Sequence, residues 1–351
     1  MENKEPLHYK VIIIGAGLTG LATAFYLEQK GYSPLIVEGR NRTGGRIETV
    51  PFGRGRLDTG AAWFADKHTH LMKLISELNV TYYRQYLGKQ VYYDLYQGIH
   101  QEPLSRPQEP TYKLTGGSAH IIQALEQHLT TSTIRLDEPV QLLDFTREQL
   151  IRVESSKGVY TAEKVISTLP PALLIKTIKC IPSLPDDLTN IAAATHTWMG
   201  ESIKAAVTTS EGFWRTAETG TLFSQQGPLM ELHDHSLPEE NAWILKGFIH
   251  PDFARLKREE RSSLAIEQVE RIFPGASRQP VKYLEKDWST DAYTTLPYPV
   301  PVSAHQHNGH SIYRNTWYKG RLMVAGSETA SAFAGYMNGA VCSAREVADL
   351  F

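Results

Sequence analysis

The 351-residue chain carries 36 Lys and Arg against 38 Asp and Glu, and this formal charge of -2 offers no electrostatic footprint for nucleic acid. A composition that is 41% hydrophobic and 21% charged is that of a globular chain with material for two domains, and no apolar run approaches the ~20 residues of a bilayer span. Two cysteines, Cys180 and Cys342, exclude a disulfide framework, and with the polar start "MENKEPLHYK" they point to a soluble, cytoplasmic protein.

The apolar run "YKVIII" reads as a strand and "GAGLTG" as a tight turn. Leu18, Leu21, Ala22 and Phe25 then recur at helical spacing, Gly31 ends the helix, and "SPLIVE" is a second strand that closes on Glu38. Gly15-x-Gly17-x-x-Gly20 between strand and helix, with an acid at the end of the next strand, is a dinucleotide fingerprint. Gly15 permits the turn, Gly17 lets backbone approach a diphosphate, and Gly20 lets helix and strand pack closely. Leu18 and Thr19 open the helix, whose free N–H groups favour the diphosphate charge. Glu38 suits ribose hydroxyls and repels a 2′-phosphate, and Gly39 and Arg40 follow it at the same edge. The fingerprint alone does not separate NAD from FAD. The next stretch does, because "RNRTGGR" sets Arg40, Arg42 and Arg46 around Gly44–Gly45, a second bend suited to an extended diphosphate with a larger head group. In "LDTGAAWF", Gly60, Ala61, Ala62 and Trp63 offer backbone against which a planar ring can lie.

Further along, "THLMKLISELN" and "TGGSAHIIQALEQHL" read as helices, and "KVISTLPP" as a strand that reaches Thr168 before its prolines. Residues 200–250 alternate like an antiparallel sheet. In "ESIKAAVTTS", Ile203, Ala205 and Val207 share one face, while Lys204 shares the other with Ser202, Ala206 and Thr208, small or polar enough for a wet pocket. Alternation alone fits a solvated lysine. The helix around 255–272 alternates charges and reads as a solvated face. His305, His307 and His310 lie in a glycine- and asparagine-containing stretch, and His233 and His235 in a strand-connecting turn. Neither set has the ligand pattern of a metal site, so no metal is expected. "GRLMVAGSETA" is a late buried strand and "GYMNGAVCSAREVADLF" a closing helix. The pattern implies an α/β fold, a discontinuous FAD/NAD(P)-binding Rossmann-like domain over 1–75, 113–195 and 284–351. An inserted antiparallel-sheet-plus-helix substrate domain takes 76–112 and 196–283.

The amino-terminal "VIIIGAGLTGLATAFYLEQKG…LIVEGRNRTGGRIET", the middle "LTGGSAHIIQAL" and "VISTLPP", and the carboxy-terminal "VAGSETASAFAGYMNGAV" resemble the FAD-dependent amine oxidase family, the monoamine oxidase-like flavoproteins. The resemblance implies that Val140 meets the adenine through its backbone, that Gly326, Ser327 and Glu328 lie at the ribityl-phosphate region, and that Tyr336–Met337 meet the pyrimidine edge of the flavin. It implies a flavin-contacting Trp288 and a cage of Tyr298 and Tyr336 framing the amine, with Tyr293 as the rival of Tyr298. Lys204 matches the family lysine that faces the reactive ring nitrogen through a water. Pro297 stands where some relatives carry the cysteine that bonds the flavin, so FAD is expected non-covalent. The stretch between "GAAWF" and "LTGGSAH" is short, implying a reduced substrate domain, and no carboxy-terminal membrane anchor is expected. The implied reaction is hydride transfer from an amine to the flavin, giving imine, then carbonyl and ammonia, with dioxygen reduced to peroxide. Small-molecule amine and dioxygen are the expected partners, with a homodimer allowed. The rival readings are a C–C desaturase of a porphyrinogen- or carotenoid-like substrate and a flavin-binding protein without turnover.

Overall fold

In the computed structural model, residues 6–104, 109–278 and 281–351 are described. The first strand, Leu7–Ile14, ends in the apolar run Val11–Ile14, which is buried on both sides as a central parallel strand must be. It pairs in parallel with Leu35–Val37 on one side and Val159–Ser167 on the other. Thr133–Arg135 extends the sheet beyond Leu35–Val37, and Leu322–Val324 joins Val159–Ser167 in parallel. The chain thus leaves the first strand to one side and returns to the other, a topological switch point at the carboxyl end of Leu7–Ile14 where Gly15 turns. An antiparallel addition, Ile151–Ser155 with Val140–Asp144, completes this eight-stranded sheet, together with Lys179–Ile181. The helices Leu18–Gln29, Ala119–His128 and Met337–Ala348 supply Leu21, Leu125 and Val341 to the core on one of its faces.

A second sheet of seven strands runs in the order Tyr283–Asp287, Ile203–Thr209, Trp243–Ile249, Leu229–Asp234, Thr219–Ser224, Gln90–Leu95, Gly98–Pro103. Its pairings are antiparallel except one: Thr219–Ser224 runs parallel to Gln90–Leu95, because the 90–103 hairpin comes from a distant part of the chain. The strand Tyr283–Asp287 lies across the expected boundary at 284 and belongs entirely to this sheet. Of the stretch 76–112, Tyr82–Arg84 pairs instead with Thr111–Leu114, which also pairs with Phe64–Ala65.

The helix Arg258–Ile272 is not merely a solvated face. Ala265, Val269 and Ile272 pack on Ile203, Ala205, Val207 and Leu245, and Arg261 is buried in an ion pair with Glu285. The opposite face of Ile203–Thr209 is also dry at Ala206, which packs on Phe52, Leu57 and Ile244, so the wet pocket expected there is confined to the Lys204 end. His233 lies in a strand and His235 is buried at 3% exposure, so neither occupies the expected solvated turn.

One buried ion pair ties the two chain ends together. Arg46 donates to Glu328 Oε1 at 2.6 Å and Oε2 at 2.9 Å, to Ser327 Oγ at 2.9 Å, and to the Trp198 carbonyl at 3.1 Å. Burial alone would raise the Glu328 carboxyl, but the Arg46 guanidinium and the Ser327 hydroxyl outweigh it and hold the group below the ordinary range. A carboxyl lowered in the folded state contributes stability that is full above the unfolded value of ~4.3 and is lost as pH falls through the folded value. Glu328→Gln should therefore cost about 3 kcal/mol at neutral pH, the lower end for breaking a buried pair because Arg46 keeps some solvent contact. Urea melts of both proteins should converge as the medium is acidified below about pH 4. A variant with wild-type stability at neutral pH would show that the pair does not hold the chain ends.

Candidate functional site

The switch point opens into a cleft lined from both ends of the chain and from the second sheet. Gly15 turns with φ 103°, and the helix Leu18–Gln29 starts at Gly17 with no side-chain cap, leaving its first N–H groups free toward the cleft. A Cβ on Gly20 would stand 1.9 Å from the Gly15 carbonyl oxygen, so only glycine lets helix and turn approach this closely. Gly17 bridges Gly44 across the floor, and Gly44 donates to the Ala16 carbonyl at 2.8 Å. Glu38, 4% exposed, is aimed by the Ala16 N–H at 2.8 Å and the Arg40 N–H at 2.9 Å. Arg40 is held by Asp291 at 2.7 Å and Thr294 at 2.8 Å. Arg42 turns away, donating to the Thr43 and Gly45 carbonyls and pairing with Glu48 at 3.1 Å, so it shapes the bend and does not line the cleft.

At the other end the cleft is walled by Gly60, Ala61, Ala62, Trp63, Lys204, Trp288, Ser327, Tyr336 and Met337, while Thr168 lines it beside the Gly15 turn, donating to the Ile14 carbonyl at 2.9 Å. Trp288 is fixed by donation to the Thr59 carbonyl at 2.9 Å. The helix Met337–Ala348, like the first, begins without a side-chain cap, at Tyr336. Lys204 donates to the Gly60 carbonyl at 2.9 Å, and burial pushes its ammonium down to about 8, with Asp58 opposing and Arg46 adding to the shift. The solvated-lysine alternative therefore does not describe this side chain.

Several expected contacts fall elsewhere. Tyr298 does not line the cleft: its hydroxyl accepts from the Thr197 N–H at 2.8 Å and donates to the Thr195 carbonyl at 3.1 Å, which pins the ring beside His196. Tyr293 does line the cleft, but at the Glu38 end, with the Arg40 guanidinium 5.5 Å from its ring centre. The tyrosine pair is thus not assembled. The Val140 side chain packs in the sheet core with Ile14, Leu35 and Val37, which leaves the backbone contact implied with the adenine untouched. Gly20, Gly39, Gly326 and Glu328 support the walls from behind: a Cβ on Gly39 would meet Tyr293 at 2.5 Å, and Glu328 anchors Arg46.

The aromatic group beside Tyr336 is instead Trp198 at 6.1 Å, His68 at 6.1 Å and His305 at 5.7 Å, with His305 stacked on Trp198 at 3.9 Å. His305 is therefore not part of a solvated loop. From the second sheet, Lys204, Phe248 and Glu231 form one cross-strand row facing the cleft, and Lys246 lies in the next row beside His233. His233 hydrogen-bonds Glu231 at 2.7 Å and holds that carboxyl below its ordinary range against the effect of burial. Sequence reasoning missed Glu231, Lys246 and Trp198. Lys246 had a signal, since in "NAWILKGFIH" a lysine interrupts an apolar strand as Lys204 does in its neighbour.

The uncapped start of Leu18–Gln29, the glycine floor, and Arg40 and Arg46 fit the diphosphate of FAD, with Glu38 placed for the ribose, and the uncapped start of Met337–Ala348 fits the electron-rich edge of the flavin. Gly60–Trp63, Lys204, Trp288 and Tyr336–Met337 would hold the isoalloxazine. Among the described residues no three His, Cys, Asp or Glu side chains gather as a metal site, and no helix is long and apolar enough to cross a membrane.

Residues 90–350 match the family described as flavin containing amine oxidoreductase, and residues 13–78 match an NAD(P)-binding Rossmann-like domain. The chain is 23% identical to a probable flavin-containing monoamine oxidase A of Dictyostelium discoideum, over 95% of each protein. That alignment runs over 443 positions, more than the chain's 351 residues, so the relative carries internal segments that this chain lacks. Human flavin-containing amine oxidase B is 30% identical over 65% of this chain, a match that spans 45% of that protein. The fold is similar to putrescine oxidase bound to putrescine (TM-score 0.84, 20% identity, 98% of this chain and 99% of that one). It is likewise similar to cyclohexylamine oxidase from Brevibacterium oxydans (TM-score 0.85, 18% identity, 97% and 98%). With about three quarters of its length inside one family model, and a cleft built for a dinucleotide, the chain belongs to the flavin-containing amine oxidoreductases.

Proposed function

We propose that this protein oxidises the C–N bond of a small amine with non-covalently held FAD and passes the electrons to dioxygen. The observation that carries the reading is the meeting of Lys204, Trp288 and Tyr336 at one end of a cleft whose other end is Glu38. FAD supplies the redox chemistry, taking hydride from the substrate's α-carbon and yielding its electrons to dioxygen. The chain's own residues bind, orient and polarise. Trp198, Tyr336 and Phe248 offer apolar walls for the amine's carbon skeleton and exclude water from the reacting carbon. Glu231, kept anionic by His233, is a carboxylate on that wall and draws a cationic amine into the cleft. Lys204 places a cation beside the ring, where it stabilises charge developing on reduced oxygen and orients a water. Pro297 is exposed, and its carbonyl accepts from Lys176 at 2.6 Å, which supports a flavin without a covalent link from that position. The two cysteines are free and buried, which supports a reducing, cytoplasmic setting.

Anaerobic mixing with a panel of aliphatic and aromatic amines should bleach the bound flavin, whereas porphyrinogen- or carotenoid-like compounds should not; the reverse pattern would establish C–C desaturation. Acid precipitation should release all the yellow colour into the supernatant, and colour in the pellet would reveal a covalent link. Lys204→Met should retain FAD and, at about pH 10, anaerobic reduction, while reoxidation by dioxygen slows by ~10²-fold, the scale for losing one preorganised electrostatic group. Wild-type reoxidation in that variant, read by stopped-flow absorbance, would remove Lys204 from oxygen activation.

A further inference from the structure

The strand Trp243–Ile249 places a second lysine behind the first. Lys246 is 2% exposed, lines the same cleft, and donates to the Gly60 carbonyl at 3.3 Å, the oxygen that already accepts from Lys204 at 2.9 Å. The Trp63 ring lies 5.1 Å from its nitrogen. No carboxylate forms an ion pair with either lysine among the described residues. Asp58, on the neighbouring strand Gly55–Asp58, accepts from Thr49 Oγ1 at 2.6 Å and from the Ser118 N–H at 2.8 Å, and its other oxygen lies 3.6 Å from His235. Lys113 adds a further positive charge from Thr111–Leu114. Two ammonium groups on one carbonyl, enclosed and without a counter-ion, resist being charged together.

We propose that Lys246 is the base that takes a proton from the bound substrate ammonium, while Lys204 keeps the one proton that the pair holds at rest. The inference rests on the amine-oxidation reading. An alkylamine with a pKa near ~10 enters as its ammonium, and hydride can leave the α-carbon only when the nitrogen lone pair is free. The N–H bond of R–CH2–NH3+ breaks and its proton goes to Lys246 Nζ. The α C–H bond then breaks, hydride departs to the flavin, and the nitrogen lone pair forms the C=N bond of the iminium. Dioxygen is the oxidant: with the two electrons, the hydrogen of that hydride and the proton from Lys246, it becomes hydrogen peroxide and leaves Lys246 neutral. Burial depresses the Lys246 ammonium well below the ordinary lysine range and the Lys204 charge depresses it further, with Asp58 opposing and Lys113 adding, whereas Lys204 is lowered only to about 8. The resting assignment follows from the geometry: Lys246 is 2% exposed and 3.3 Å from the shared carbonyl, whereas Lys204 is less enclosed and donates to it at 2.9 Å.

The test uses the FAD-loaded protein in two measurements from about pH 6 to about pH 10. One is the rate of anaerobic flavin reduction by an amine. The other is the affinity of tert-butylamine, which has no α-hydrogen and cannot be oxidised, read from the flavin absorbance. In the wild type both should fall on the acid side as Lys246 becomes protonated. In Lys246→Met the acid limb should vanish and reduction near neutral pH should slow by ~10²-fold, the scale of general-base catalysis. In Lys204→Met the limb should persist and move to higher pH, because the repelling charge has gone. Loss of the limb in Lys246→Met, with His68, His233 and His305 left in place, separates Lys246 from these histidines in or beside the cleft wall. An acid limb retained in Lys246→Met, or unmoved in Lys204→Met, overturns the proposal. If no amine reduces the wild type, the amine-oxidation reading fails, and tert-butylamine binding still decides Lys246 by whether its limb survives the substitution.

Discussion

The Arg46–Glu328 ion pair is the point at which three distant parts of the chain are forced together. Arg46 comes from the second glycine bend, Glu328 from the segment after the last parallel strand, and the Trp198 carbonyl from the approach to the second sheet. A buried pair of this kind adds little net stability compared with apolar packing, but breaking it leaves a charge without a partner. Its consequence here is geometric. With Arg46 drawn against Glu328 and Ser327, the glycine floor of the cleft and the uncapped start of Met337–Ala348 face the same space, so one helix start is available to a diphosphate and the other to the edge of a flavin.

The second sheet closes that space with a row of alternating chemistry. Its far face is committed to the helix Arg258–Ile272 through Val207, Leu245 and Val269, which fixes the register of the strands. Given that register, Lys204, Phe248 and Glu231 must fall on the cleft side together. The close approach of Gly60 to Arg46, where a Cβ would stand 1.9 Å from the Arg46 carbonyl oxygen, leaves the Gly60 oxygen free for both lysines. The ion pair, the glycine and the lysines are therefore consecutive links in one arrangement.

What the sequence discloses and what it hides follow from which interactions set each feature. Gly15, Gly17, Gly20 and Glu38 were legible because local backbone geometry demands them, and they lie where the spacing implies. Lys204 was legible as a lysine on the wrong face of an apolar strand once a flavin site stood nearby. Tyr298 was not, because its position is set by hydrogen bonds to Thr195 and Thr197, partners that no spacing reveals. Trp198 and His305 come from separate loops and stack only in the folded chain. The parallel join of Thr219–Ser224 to Gln90–Leu95 was hidden for the same reason: non-local pairing leaves no trace in alternation.

FAD belongs in the cleft between the two uncapped helices and the lysine face of the second sheet. A crystal structure of the FAD-loaded protein measures this directly. The diphosphate should lie against Gly15–Thr19, Gly44–Gly45 and Arg46, and the isoalloxazine among Gly60–Trp63, Lys204, Trp288 and Tyr336. An isoalloxazine outside that group of residues, as in the separate cavity lined by Lys113, Arg215 and Tyr83, would contradict it.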